Sequence, residues 1–191
     1  MENIKKEFRK LIELLSIIIV VWFMVTIYAM LHGQYIVRIA PEHFTIYHCG
    51  LEWLSGNANI LALGYAFLAA ISPGLFFGFF LGISCRFGGL PKVSLRSVVF
   101  IAIMVVVIAE IVSIISGLYV YFKREPLYPL SWCGDYGLPV LITNTIQMTC
   151  YIMSILGAGL AVLITTFVRN KNKSSSKITL INYFRTFKVK V

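Results

Sequence analysis

The sequence predicts an all-α membrane protein, a bundle of four transmembrane helices with both termini in the cytoplasm. Three observations carry that prediction. Of 191 residues, 59% are hydrophobic and only 13% charged, about half the charged share of an ordinary soluble domain, and the mean hydropathy is +0.84. The charges are gathered into short segments, which leaves four runs of at least the ~18 apolar residues that cross a hydrocarbon core as a helix. The seventeen Lys and Arg are also unevenly placed: fourteen precede the first run, lie between the second and third, or follow the fourth. Only Arg38, Lys123 and Arg124 fall in the other two connections. Because Lys and Arg collect on the cytoplasmic side, the net charge of +9 is read as a topology signal rather than as a nucleic-acid footprint.

The elements follow in order. The basic start MENIKKEFRK holds the N-terminus inside, and Arg9 and Glu13, spaced i,i+4, can pair if the helix begins early. Span one is residues 11–31. It is longer than the apolar region of a signal peptide and ends in Tyr28-Ala29-Met30-Leu31, which is no small-residue cleavage site. The first outer loop, 32–56, holds His32, His43, His48 and Cys49. Tyr35–Ile39 and Phe44–Tyr47 are rich in β-branched and aromatic residues, so they read as two short extended pieces of a small β-hairpin-like or irregular cap. Pro41 offers an alternative, a single helical turn that it would open.

Span two, residues 57–83, contains Ser72-Pro73-Gly74. Gly74, Gly78 and Gly82 lie on one helix face and form a packing seam, beside a proline that is expected to kink the helix. Gly88, Gly89 and Pro91 turn the inner loop. Spans three and four are residues 97–121 and 137–168, joined by an outer loop, 122–136. A basic cytoplasmic tail, 169–191, completes the single transmembrane domain. With seven basic and no acidic residues, and with Leu180, Phe184, Phe187 and Val191 on one face if helical, the tail suits anionic lipid headgroups. A solvated basic tail is the other reading.

Glu110 is the sharpest candidate for chemistry, because it falls in the middle of span three, where a charge costs several kcal/mol. Thr143, Asn144 and Gln147 of span four are its expected partners. With Asn144 and Gln147 it forms an intramembrane polar cluster, either a proton or ion relay or a hydrogen-bonded joint between two helices. The joint is preferred, since no second acid or base lies near the middle of a predicted span. His32, His43 and His48 raise the question of a metal, because imidazole suits zinc, copper and iron. Their spacing lacks the tight ligand pattern of a structural zinc site. Cys49 and Cys133 fall in the two outer loops, where an oxidising compartment would permit a disulfide. No CxxC pair accompanies them, and Cys85 and Cys150 read as small apolar residues. HExxH, GxSxG and P-loop signatures are missing, and no cofactor is expected.

Residues 31–92 resemble a family of small bacterial four-span inner-membrane proteins. The resemblance rests on Leu31-His32, Pro41-Glu42-His43-Phe44-Thr45 with His48, Ser72-Pro73-Gly74 with Gly78, Arg86, and Pro91-Lys92. The family's Asp after Leu-His is Gly33 here, and His43 stands at its tyrosine position. The resemblance implies the four-span topology and a bacterial inner (plasma) membrane, and it carries over no catalytic residue.

These readings converge on a non-enzymatic structural or interaction module, an accessory subunit. Its partners would be the lipid bilayer and either a second copy or another membrane protein. The alternative is a small transporter or channel subunit that uses Glu110, Asn144 and Gln147.

Overall fold

The computed structural model describes residues 2–46, 50–51, 53–129, 137–173 and 177–178. Five helices are present among them: α1 (Glu2–Ile39), α2 (Glu42–Thr45), α3 (Ala58–Arg86), α4 (Leu95–Lys123) and α5 (Leu138–Lys171). All but α2 are long and apolar enough to cross a membrane. A two-residue parallel pair joins β1 (Lys92–Val93) to β2 (Lys177–Ile178). The pair lies at the end of the bundle where α1 begins and α5 ends, here the terminal end; α2 lies at the opposite, distal end.

Local chemistry sets the helix limits. The side chain of Asn57 accepts from the Asn59 N–H at 2.9 Å and opens α3. Ser94 does the same for α4 through the Ser97 N–H at 3.2 Å, and Pro139 occupies the first turn of α5, where its missing N–H costs nothing. Arg124 ends α4 in the left-handed conformation, φ 61°. Helix α3 runs on through Pro73.

One expectation needs correcting. Tyr35–Ile39 is not an extended strand of a cap but the last turns of α1. His32 is therefore a helical residue facing the bundle rather than part of a loop. After it, Pro41 precedes the single turn of α2, the alternative that proline chemistry allowed. The Phe44–Tyr47 segment is helical through Thr45; its last residue, Tyr47, lies outside the described residues. So do His48, Cys49, Cys133, the proposed disulfide, and the tail face of Leu180, Phe184, Phe187 and Val191.

The helices pack as two hairpins, α1 on α3 and α4 on α5, with fewer contacts between the pairs. Glycine makes the first pairing close. A Cβ added at Gly78 would stand 2.8 Å from the Ile18 Cα, and Gly74 and Gly82 face Trp22 and Leu14 of the same helix. The seam thus lies inside the chain, against α1. Gly117 of α4 serves α5 in the same way, where an added Cβ would meet Ile146 at 2.5 Å. Without a hydrophobic drive between helices in lipid, such close approach is what holds them together.

Two apolar cores result. The terminal one gathers Ile17, Val21, Leu81 and Cys85 with Val98, Ala102 and Val168. The distal one gathers Ile36, Val37, Leu61 and Ala62 with Val120, Ile142 and Ile146. On the outside, Phe23, Ile111, Leu156 and Phe167 are among many large apolar side chains left exposed, a surface suited to hydrocarbon and not to water.

Candidate functional site

Between the two cores a layer of polar side chains from α1, α4 and α5 crosses from hairpin to hairpin. Its centre is Glu110 of α4. Tyr28 of α1 donates its hydroxyl proton to Glu110 Oε2 at 2.6 Å, and His32 Nδ1 stands 2.9 Å from the same oxygen. One proton is shared across that second contact, written either as imidazole N–H to carboxylate or as carboxylic acid to imidazole. The Tyr35 hydroxyl is 3.1 Å from His32 Nδ1. Because Tyr28 uses its own proton on Glu110, the Cys150 thiol, 3.0 Å away on α5, is the donor to the Tyr28 oxygen. Ser154 lies 4.0 Å beyond Cys150. A continuous path of polar contacts therefore runs from α5 through α1 to α4.

A second group sits toward the distal end. His43 of α2 is fully buried. Its Nδ1 lies 3.1 Å from the Thr143 hydroxyl, and its Nε2 is bonded to the Gln147 side-chain oxygen. Gln147 in turn donates its amide to the Tyr151 hydroxyl at 2.6 Å. This group latches the turn α2 onto α5. A third group ties α4 to α5, where the Thr149 hydroxyl is 2.8 Å from that of Ser116 and receives the Tyr128 hydroxyl at 2.8 Å.

The sequence-predicted cluster is therefore redistributed. Glu110 takes its described partners from α1 rather than from α5, and Gln147 belongs with His43. Asn144 is half-buried on α5. His32 and His43 fall in separate groups, and among the described residues no three His, Cys, Asp or Glu side chains come together as a metal site would need. Both described cysteines, Cys85 and Cys150, are free and buried. Sequence reasoning missed Tyr28, Tyr35 and Cys150. The signal for the tyrosines was present, since Tyr28, His32 and Tyr35 are spaced i, i+4 and i+7, one face of a helix that continues past Leu31.

Also missed was Arg169, counted among the flanking charges yet only 2% exposed. It donates Nε to the Pro91 carbonyl at 2.7 Å and Nη2 to the Phe87 and Leu90 carbonyls at 3.0 Å each. Its Nη1 bonds the Ser84 carbonyl. The guanidinium fork thereby satisfies one carbonyl of the last turn of α3, Ser84, and three of the connection that follows it, near the negative pole of the helix dipole. Nearby, Glu13 gathers Lys92 at 2.6 Å, Arg86 at 3.3 Å and Arg9 at 3.6 Å.

Beside the polar layer the two hairpins part around a cavity of about 760 Å³. Its wall is mostly apolar; Tyr28, His32, Gln147, Cys150, Tyr151 and Ser154 form the polar stretch. Comparison with known protein families, curated proteins and solved structures finds no match to this chain.

Proposed function

We propose that the protein is a non-enzymatic accessory module of a bacterial inner membrane, with both termini in the cytoplasm, that acts by binding within the bilayer. The uneven placement of Lys and Arg supports the orientation. The bacterial membrane rests on the family resemblance of residues 31–92. The observation that carries the functional reading is the Tyr28–Glu110–His32 contact. Glu110 is met by Tyr28 and His32 of its own chain, a joint between two hairpins that share fewer contacts with each other than their helices share within each. The exposed Lys171 and Lys173, at and just past the end of α5, suit an anionic leaflet.

One observation favours a second reading, a transporter or channel subunit with Glu110 in its path. His32 supplies the base that the sequence lacked beside that acid. Glu110→Gln separates the two, because glutamine keeps the hydrogen bonds and cannot release a proton. In proteoliposomes holding a pH-sensitive dye, a module shows the same background proton leak with either side chain. A flux present in the parent and lost in Glu110→Gln would transfer the assignment to transport.

A further inference from the structure

The cavity between the hairpins is long. On α5 its lining runs from Gln147 to Leu163, about 24 Å of helix at 1.5 Å per residue, against a hydrocarbon core of ~30 Å. Its volume of about 760 Å³ is in the ~300–1,000 Å³ range of sites that bury most of a small ligand. Small side chains create it: Ala29 of α1, Ala66 and Ala69 of α3, and Gly159 of α5 all line the space. A Cβ added at Gly159 would meet nothing within 4 Å. An apolar space of this kind does not hold water well, and in a bilayer its natural filling is a hydrocarbon chain.

Polar atoms along the wall select what the chain is attached to. Tyr151 accepts from Gln147, which leaves its own O–H without a described partner. Pro73 has no N–H to offer the Ala69 carbonyl one turn back, and both residues face the cavity. A carbonyl left short of a donor in lipid is costly. Glu110 is already met by Tyr28 and His32, so no unbalanced charge awaits a charged head. A donor at Tyr151, an acceptor at Ala69 and the Nε2 of His32, which has no partner among the described residues and also lines the cavity, suit a hydroxyl-bearing group.

We infer that this cavity is a binding site for a neutral single-chain amphiphile with a hydroxyl-bearing head, of the monoacylglycerol or long-chain alcohol class. The chain lies between α3 and α5, and the head meets the Tyr151 hydroxyl. The inference rests on the binding-module reading above and supplies its ligand class.

The test uses the full-length protein in detergent micelles with a 1-monoacylglycerol that carries a photoactivatable diazirine in its chain. Labelling is expected to saturate, to fall on peptides from 65–80 and 147–163, and to be displaced by unlabelled 1-monooleoylglycerol. Gly159→Phe places a ring in the open space and should cut labelling roughly tenfold by removing the apolar surface available for burial. Leu160→Phe, on the exposed outer face, should leave it unchanged. Labelling that does not saturate, or that survives Gly159→Phe, overturns the inference. So does equal displacement by phosphatidylcholine, which would mark the cleft as bulk lipid, or stronger displacement by oleate, which would mean a charged head. Recovery of the probe chemically converted would leave the site standing and remove the non-enzymatic reading. Loss of saturable labelling alone would do the reverse.

Discussion

Tyr28 and Glu110 are 82 residues apart in sequence and share a 2.6 Å hydrogen bond that crosses from one helical hairpin to the other. The bond lies in the polar layer between two apolar cores, beside the Tyr28–Cys150 contact that joins the same hairpins. An intramembrane acid is expensive unless its partners are supplied, and here α1 supplies them.

Replacing Glu110 with leucine leaves the Tyr28 hydroxyl and His32 Nδ1 without their acceptor. The expected loss is about 1–2 kcal/mol, the upper part of the range for interhelical hydrogen bonds in membranes. Equilibrium unfolding in mixed micelles checks it, and Glu110→Gln should recover at least half of the loss.

Gly78→Leu should be worse than any substitution in the polar layer. Its Cβ would stand 2.8 Å from the Ile18 Cα and 3.0 Å from the Ile18 carbonyl oxygen, both backbone atoms that cannot rotate away. Overpacking of this kind costs roughly 1–3 kcal/mol or more. A matched Gly159→Leu, which meets open space, should be neutral or stabilising by up to ~1 kcal/mol as a helix glycine is removed. Thermal aggregation of the solubilised proteins ranks the pair.

Arg169→Met should loosen the terminal end of the bundle. Four carbonyls, from Ser84, Phe87, Leu90 and Pro91, lose their donor, and an unpaired buried acceptor costs about 1–3 kcal/mol. Lysine cannot reproduce the planar fork, so Arg169→Lys should restore only part. Amide hydrogen exchange across residues 84–94 is the readout, with faster exchange expected in both variants and fastest in methionine.

Glu13→Gln should cost about 1–2 kcal/mol: the exposed Arg9 and Lys92 contribute little, whereas Arg86, 10% exposed, loses the charge beside its Nε. The difference from the parent should shrink as salt is raised. Melting curves at low and high ionic strength test both statements.

Much of the architecture was legible because lipid leaves few solutions: long apolar runs must be helices, and their lengths can be counted. The site was less so. Glu110 announced itself as an acid in an apolar run, but its partners depended on where span one ends. That boundary was hidden because Tyr35–Ile39 is as apolar and β-branched as a strand, and helix α1 overrides that local preference through its packing on α3. Without the extra turns, His32 reads as a loop histidine and Tyr28 as an interfacial aromatic. Arg169 was hidden differently. It stands among basic residues that serve as flanking charges, and nothing local distinguishes the one that turns inward to the carbonyls at and after the end of α3. The cavity had no signature, since alanines and glycines that line a space look the same in sequence as those that close one.

A double-mutant cycle on Tyr28→Phe and Glu110→Leu, read by reversible unfolding in micelles, tests the cross-hairpin joint most directly. If the hydroxyl and the carboxyl hold the two hairpins together, the double variant should be less destabilised than the sum of the singles, by about 0.5–1.5 kcal/mol. Simple additivity of the two losses would mean that the bond contributes nothing and would contradict the account.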